Sequence, residues 1–225
     1  MRRLVWTLVV LAVVAGGAYL ADTMARTEAE ERVAAEVQQA IPGVEQAPDV
    51  TIEGFPFLTQ LAAGELSSVR LTAPAATVEG LRLEDVVVRL HGVGTQAPYT
   101  AETAEMTALV TPDAVEAVLG LADLDLGVRD GELIATASVL GLPLDVAMVP
   151  SSQGHDVFVD VEAFVLGGFR VDAAELPAEI TDQLQGLRFA IAGLPADMNL
   201  TGVAVVTGGL ELAAEGSNLA LSAAR

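Results

Sequence analysis

Few side chains in this chain could do chemistry. His91 and His155 are its only imidazoles, and lysine and cysteine are both absent. Without cysteine there is no thiolate nucleophile, thiolate metal site or disulfide. Without lysine there is no P-loop, Schiff base or Ser–Lys dyad. His155 and Asp156 are adjacent, as two members of a triad might be, but neighbouring residues of a strand point to opposite faces. Both histidines therefore read as surface residues. Asp123, Asp125, Asp130 and Glu132 have the look of a calcium loop, yet Leu124, Leu126 and Val128 interleave with them as a strand does, and the oxygens do not converge on one turn. Nothing singles out a catalytic pair among the 31 acids. Asn199-Leu200-Thr201 has the sequon pattern but falls within a strand. The chain reads as a non-enzyme needing no metal or cofactor.

The candidate chemistry that remains is apolar. Hydrophobic residues make up 52% of the 225 positions and aromatics only 4%, so Val, Leu and Ala supply the apolar surface. Phe55-Pro56-Phe57-Leu58, with Leu61, gathers two rings and two aliphatics in one turn, and Phe158, Phe164, Phe169 and Phe189 fall in the second half. Any one of these rings reads first as core, but with so much aliphatic surface some of them are expected to line a cavity or groove. Charge excludes another class of partner: 31 acidic against 11 basic residues, all arginine, give a formal −20. A chain this negative repels phosphate backbones, so nucleic acid is not a partner.

The elements that must position these residues read as an antiparallel α+β domain over residues 22–225. Leu4–Ala21 is an uncharged run of 18 residues behind Arg2 and Arg3. At about 1.5 Å per residue it reaches roughly 27 Å, enough for a bilayer core. The expectation is a membrane anchor or signal sequence over 1–21, with the uncleaved anchor preferred. The protein would then be single-pass in the cytoplasmic membrane with its domain outside. Ala25, Ala29, Val33, Val37 and Ile41 recur at helical spacing, predicting a helix over 22–41 that packs into the domain. Short helices are expected as one turn within FPFLTQLAAGEL closed by Gly64, after Thr111-Pro112 to about Leu119, and over 176–184. Period-two alternation predicts strands at 49–54, 68–71, 76–83, 84–90, 101–110, 124–128, 133–139, 142–149, 155–161, 164–169, 199–206, 210–214 and 219–222, with a bulge near Glu162.

Two segments carry a resemblance. DVTIEGFPFLTQLAAGELSSVRLTA (Asp49–Ala73) resembles the signature of the LmeA family of actinobacterial phospholipid-binding proteins, a strand running into G-F-P-F-L-T-Q and then G-x-L-x-x-V-x-L. GLPADMNLTGVAVVTGGLELAAEGSNLAL (Gly193–Leu221) is similar to that family's closing hairpin. The resemblance implies a fold related to the tubular lipid-binding domains of bactericidal/permeability-increasing proteins, in which a long helix is wrapped by a strongly curved antiparallel sheet. It also implies a phospholipid or related lipid held in the apolar seam between them. The lining expected here is Val33 and Val37 of the helix, Phe55, Phe57 and Leu58 of the signature, and Val86, Val88, Leu90, Leu142, Leu144, Val146, Met148, Phe158 and Phe164 of the strands. A role in cell-envelope lipid or lipoglycan assembly is the expectation. The alternative is a non-catalytic scaffold for an envelope protein partner.

Overall fold

The structure is a computed structural model that describes residues 2–41, 43–119, 125–139, 142–175, 187–191 and 194–221. Side chains are described for these residues except 2–14, 118–119, 139, 142 and 187–190. The elements are α1 (Arg2–Ala40), β1 (Asp49–Glu53), α2 (Phe57–Ala63), β2 (Glu65–Val78), β3 (Leu81–Gly94), β4 (Thr100–Val110), α3 (Pro112–Leu119), β5 (Asp125–Arg129), β6 (Glu132–Val139), β7 (Leu142–Gln153), β8 (Asp156–Leu166), β9 (Phe169–Asp172), β10 (Leu187–Ala190), β11 (Met198–Val206) and β12 (Gly209–Ala220). They form two antiparallel sheets. Sheet A runs β1-β2-β3-β4-β12-β11; sheet B runs β10-β8-β7-β6-β5, with β9 also pairing β8.

Sequence alternation decides which face of each strand is buried. On sheet A, Val69, Leu71 and Ala73 lie opposite Leu90, Val88 and Val86 of β3, while Val50 and Ile52 of β1 meet Leu71 and Val69. Leu90 and Val88 lie opposite Ala104 and Met106 of β4, and Met106 lies opposite Ala214 of β12. These side chains share one face. On sheet B the corresponding face carries Leu133, Ala135 and Ala137 of β6, opposite Met148, Val146 and Leu144 of β7. The two faces pack on each other: Leu83, Ala104, Ala108, Leu210 and Leu212 share a core with Leu126, Leu133, Ala135, Met148 and Val157. Small alanines set among leucines and valines let such layers interdigitate. The hairpin between β7 and β8 is tied to β11 at one end of this interface. Leu200 N–H donates to Gly154 O at 2.8 Å, and the His155 Nε2–H donates to Met198 O at 2.6 Å. His155 is thus a half-buried tether rather than the surface residue expected.

The expected fold class needs correcting. No sheet wraps around a long helix. α1 rests chiefly on β1 and α2, at one edge of sheet A. Its contact stripe is mostly Ala25, Ala29 and Ala34 with the single larger Val33, packed against Val50, Ile52, Phe57 and Val69. So narrow a stripe buries little apolar area, and the main core forms between the sheets instead. The expected transmembrane helix and single-pass membrane location are also overturned. Among the described residues no helix is long and apolar enough to cross a membrane. The side chains of 2–14 lie outside that description, and from Asp22 onward α1 carries Arg26, Glu28, Glu30, Glu31, Arg32 and Glu36.

Several strand boundaries differ as well. The expected strand over 76–83 is two strands, because Glu79 (φ 48°) and Gly80 (φ 91°) both turn left-handed and close a two-residue hairpin between β2 and β3. Residues 164–169 divide at Gly167-Gly168, where β8 turns into β9. The bulge does fall at Glu162, since Ala147 pairs Ala163 while Met148 pairs Val161. The expected helix over 176–184 lies outside the described residues.

Leu212 is only 1% exposed, at the middle of the inter-sheet core. Leu212→Ala is predicted to cost about 2–5 kcal/mol. A urea midpoint within a few tenths molar of the parent would show that the sheets do not depend on that contact.

Candidate functional site

Sheet A has one apolar face and two different covers. α1 packs over β1, and sheet B packs over β4, β12 and β11. Between the covers lies a strip of half-buried side chains: Leu71 on β2, Val88 and Leu90 on β3, and Met106 on β4. Leu90 belongs to both flanking clusters, so the strip is continuous from one to the other. Across the interface, Val146 and Val161 are the half-buried border of sheet B. The bulge at Glu162 keeps Phe164 on this same face, opposite Val146, while Leu144 lies opposite Leu166. The face then emerges into solvent, with Val171 and Phe169 opposite Phe164 and Leu166. Phe169 is 79% exposed. The result is an apolar track that begins between two covers and ends on an open shelf.

The residues expected to line a lipid site separate into groups. Val88, Leu90 and Val146 border the inter-sheet core, and Leu144 and Phe164 continue the same face of sheet B beside Val146. Val86, Met148 and Phe57 are buried in core clusters, out of reach of a ligand unless the packing opens. Val33 is half-buried against the cluster of β1 and α2, and Val37 is half-buried one turn further on. Phe158 points to the opposite face of sheet B, two positions from Asp160 and across from Ser151. The side chain of Leu142 lies outside the described ones. Leu71, Met106, Val161, Leu166 and Val171 join the track without having been expected. Their alternation was readable, but the strand order that makes them neighbours was not.

The signature segment has its own geometry. Gly54 has φ 91°, and a Cβ there would meet Gln60 Nε2 at 2.7 Å. Gln60 Nε2 donates to Glu53 O at 3.2 Å, and its Oε1 accepts from Ser67 N–H at 2.8 Å, so the turn is clasped from both sides. Phe57 is 2% exposed and anchors α2, whereas Phe55 and Leu58 face solvent. Asp22 of α1, 3% exposed, accepts from the N–H groups of Phe57 (3.0 Å) and Leu58 (2.7 Å) at the start of α2. Arg26 lies 3.6 Å from Asp22 and donates to Gly54 O at 2.8 Å. Burial works to raise the Asp22 carboxyl pKa, but the Leu58 and Phe57 amides and the Arg26 charge outweigh it and hold the group below the usual carboxylate range.

Of the acids that suggested calcium, Glu132 is engaged in an ion pair, and Asp145 beside it in the sheet is engaged in another. Arg129 bridges to Asp145 at 2.8 Å and Arg170 to Glu132 at 3.2 Å, both on the outer face of sheet B. Asp123 lies outside the described residues. A small cleft of about 200 Å³ opens where Met148, Val149 and Pro150 meet Val203 and Val205. That is below the range of about 300–1,000 Å³ typical of small-molecule pockets.

An open apolar track with no convergent polar groups suits a flexible hydrocarbon better than a compact polar substrate. The comparison with protein families bears on the same point: the model of LmeA-like phospholipid-binding proteins matches residues 20–215. The chain belongs to this family. The match takes in every strand described here except the last residues of β12, and both segments that carried the resemblance fall within it apart from the last few residues of the second. No curated protein and no solved structure matches the chain. Within this LmeA-like chain, the G-F-P-F-L-T-Q segment serves first as a joint, holding α1, β1 and α2 together through Asp22, Gly54 and Gln60.

Two predictions follow from the joint. Because the Asp22 pKa is depressed in the folded state, its stabilising contribution is fully present above the unfolded value of about 3.9 and is lost as pH falls through the lower folded value. Asp22→Asn should therefore melt below the parent at pH 7, and the gap should close as the pH is brought below the ordinary carboxylate range. A gap that persists in acid would show that the carboxylate charge is not what holds α2. Gly54→Ala should destabilise by about 1–3 kcal/mol in chemical denaturation, and an unchanged midpoint would mean that the turn relaxes freely.

Proposed function

We propose that this chain binds a phospholipid by laying an acyl chain along the track from Leu90, Val88 and Met106 to Val146, Phe164 and Phe169, and that it acts without catalysis. Family membership over residues 20–215 is the observation that carries the reading. The track supports it physically. Each CH₂ removed from water contributes about 0.8 kcal/mol, so a chain of about 16 carbons gains roughly 10 kcal/mol before ordering costs. No charged anchor is required, in keeping with the formal −20 of the chain. Such a protein carries or senses lipid, and support of cell-envelope lipid or lipoglycan assembly is the role we assign to it. The scaffold alternative draws on the exposed Phe55, Leu58 and Phe169, which could equally meet a protein partner.

The test is the phospholipid that stays with the protein when it is purified without detergent, quantified by mass spectrometry. Near-stoichiometric phospholipid is expected. Val88→Trp together with Val146→Trp fills the track and should lower retention at least tenfold, while Phe158→Trp, on the far face, should leave it unchanged. A folded protein that carries no phospholipid and ignores added lipid would favour the scaffold.

A further inference from the structure

The end of the molecule formed by α1 and α2 is an apolar tip. Tyr19, Leu20 and Met24 of α1 are 57%, 63% and 73% exposed, and Phe55, Leu58 and Leu61 beside them are 62%, 42% and 46% exposed. The rings of Tyr19 and Phe55 pack at 5.8 Å with a tilt of 47°. Isolated apolar residues on a surface need no explanation, but six large ones on two adjoining helical turns do. Nor is the tip loose. Phe57 is sunk in the core beneath it, and Asp22 and Arg26 clamp the start of α2 and the Gly54 carbonyl.

We infer that this tip docks the chain on a phospholipid surface, with Phe55, Leu58 and Leu61 entering the interfacial layer. The inference rests on the lipid-binding reading and adds where lipid is met. Three observations choose a lipid surface as the occupant. The first is charge: in a chain of formal −20, the charged pair at the joint, Asp22 and Arg26, is self-neutralised, so the tip lacks the repulsion that the rest of the surface has for anionic headgroups. The second is composition, since aliphatic side chains beside a Tyr with a polar edge suit the boundary of a bilayer. The third is continuity. Phe57, under the tip, packs with Leu66, Val93 and Leu90, and Leu90 is where the track begins. The cluster beneath the tip and the start of the track thus share Leu90.

The absence of native cysteine makes the test clean. Leu58→Cys in the full chain carries an environment-sensitive fluorophore, and Thr201→Cys, exposed on β11, carries it as control. Phosphatidylcholine vesicles are used with and without a lipid bearing an acyl-chain quencher. The label at 58 should shift to the blue and be quenched at least twofold on vesicles, with little change at 201 and little effect of 0.5 M salt. Adding Phe55→Ser and Leu61→Ser should weaken the quenching about tenfold in lipid concentration. The quenching is the readout, so co-flotation through residues 4–14 alone does not count as support. An unquenched label at 58 on vesicle-bound protein overturns the inference. So does a blue shift without vesicles that grows with protein concentration, which would make a second copy the occupant. Retained phospholipid with an unquenched label would remove the docking and leave the lipid reading; a quenched label on protein that retains no phospholipid would do the reverse.

Discussion

One apolar face of sheet A has to be covered, and no single element covers it. Val50, Ile52, Val69 and Leu71 at one side, and Leu83, Ala104, Leu210 and Leu212 at the other, point the same way. α1 is narrow and rich in alanine, and it reaches only the β1 side. Sheet B meets the other side, where the shared core takes in β4, β11, β12 and the far halves of β2 and β3. The strip that both covers leave half-buried, Val88, Leu90 and Met106, is what suits the fold to the hydrocarbon ligand proposed above. Further covering of the strip by α1 or sheet B would fill it and remove the site. The same constraint accounts for the small cleft volume among the described residues: the proposed binding surface is a border between layers, not a hollow within one.

The charge of the chain points in the same direction. A formal −20 disfavours recognition through headgroup phosphates, since phosphate and protein repel. Arg129 and Arg170 are occupied by Asp145 and Glu132, on the face of sheet B turned away from the track. What is left for recognition is burial of hydrocarbon, which is insensitive to salt and indifferent to the headgroup. Selectivity for one phospholipid over another would then come from chain length and the shape of the track.

Much of this was legible in the sequence, within definite limits. The G-F-P-F-L-T-Q segment pointed to the family, and three of its residues have a physical task here: Gly54 and Gln60 in the turn and Phe57 in the core. Alternation gave the faces of β3 and β7 correctly, and the phase break near Glu162 marked the bulge. Layer geometry was not legible. Nothing local to residues 22–41 says whether a helix is wrapped by a sheet or laid on its edge; that depends on how wide a stripe its alanines can bury. The hairpin at Glu79-Gly80 hid inside an apparently continuous alternation. Leu71 and Met106 become neighbours of Val88 only through the strand order, which alternation within one strand does not carry.

The most direct test of the central claim is photo-crosslinking of the unmodified chain with a phosphatidylcholine whose acyl chain carries a diazirine, followed by residue-level mapping of the adducts. The account predicts adducts concentrated on Val88, Leu90, Met106, Val146 and Phe164, competed away by unlabelled phospholipid. Adducts confined to the outer face of sheet B, around Phe158 and Asp160, or the absence of any competed adduct, would contradict it.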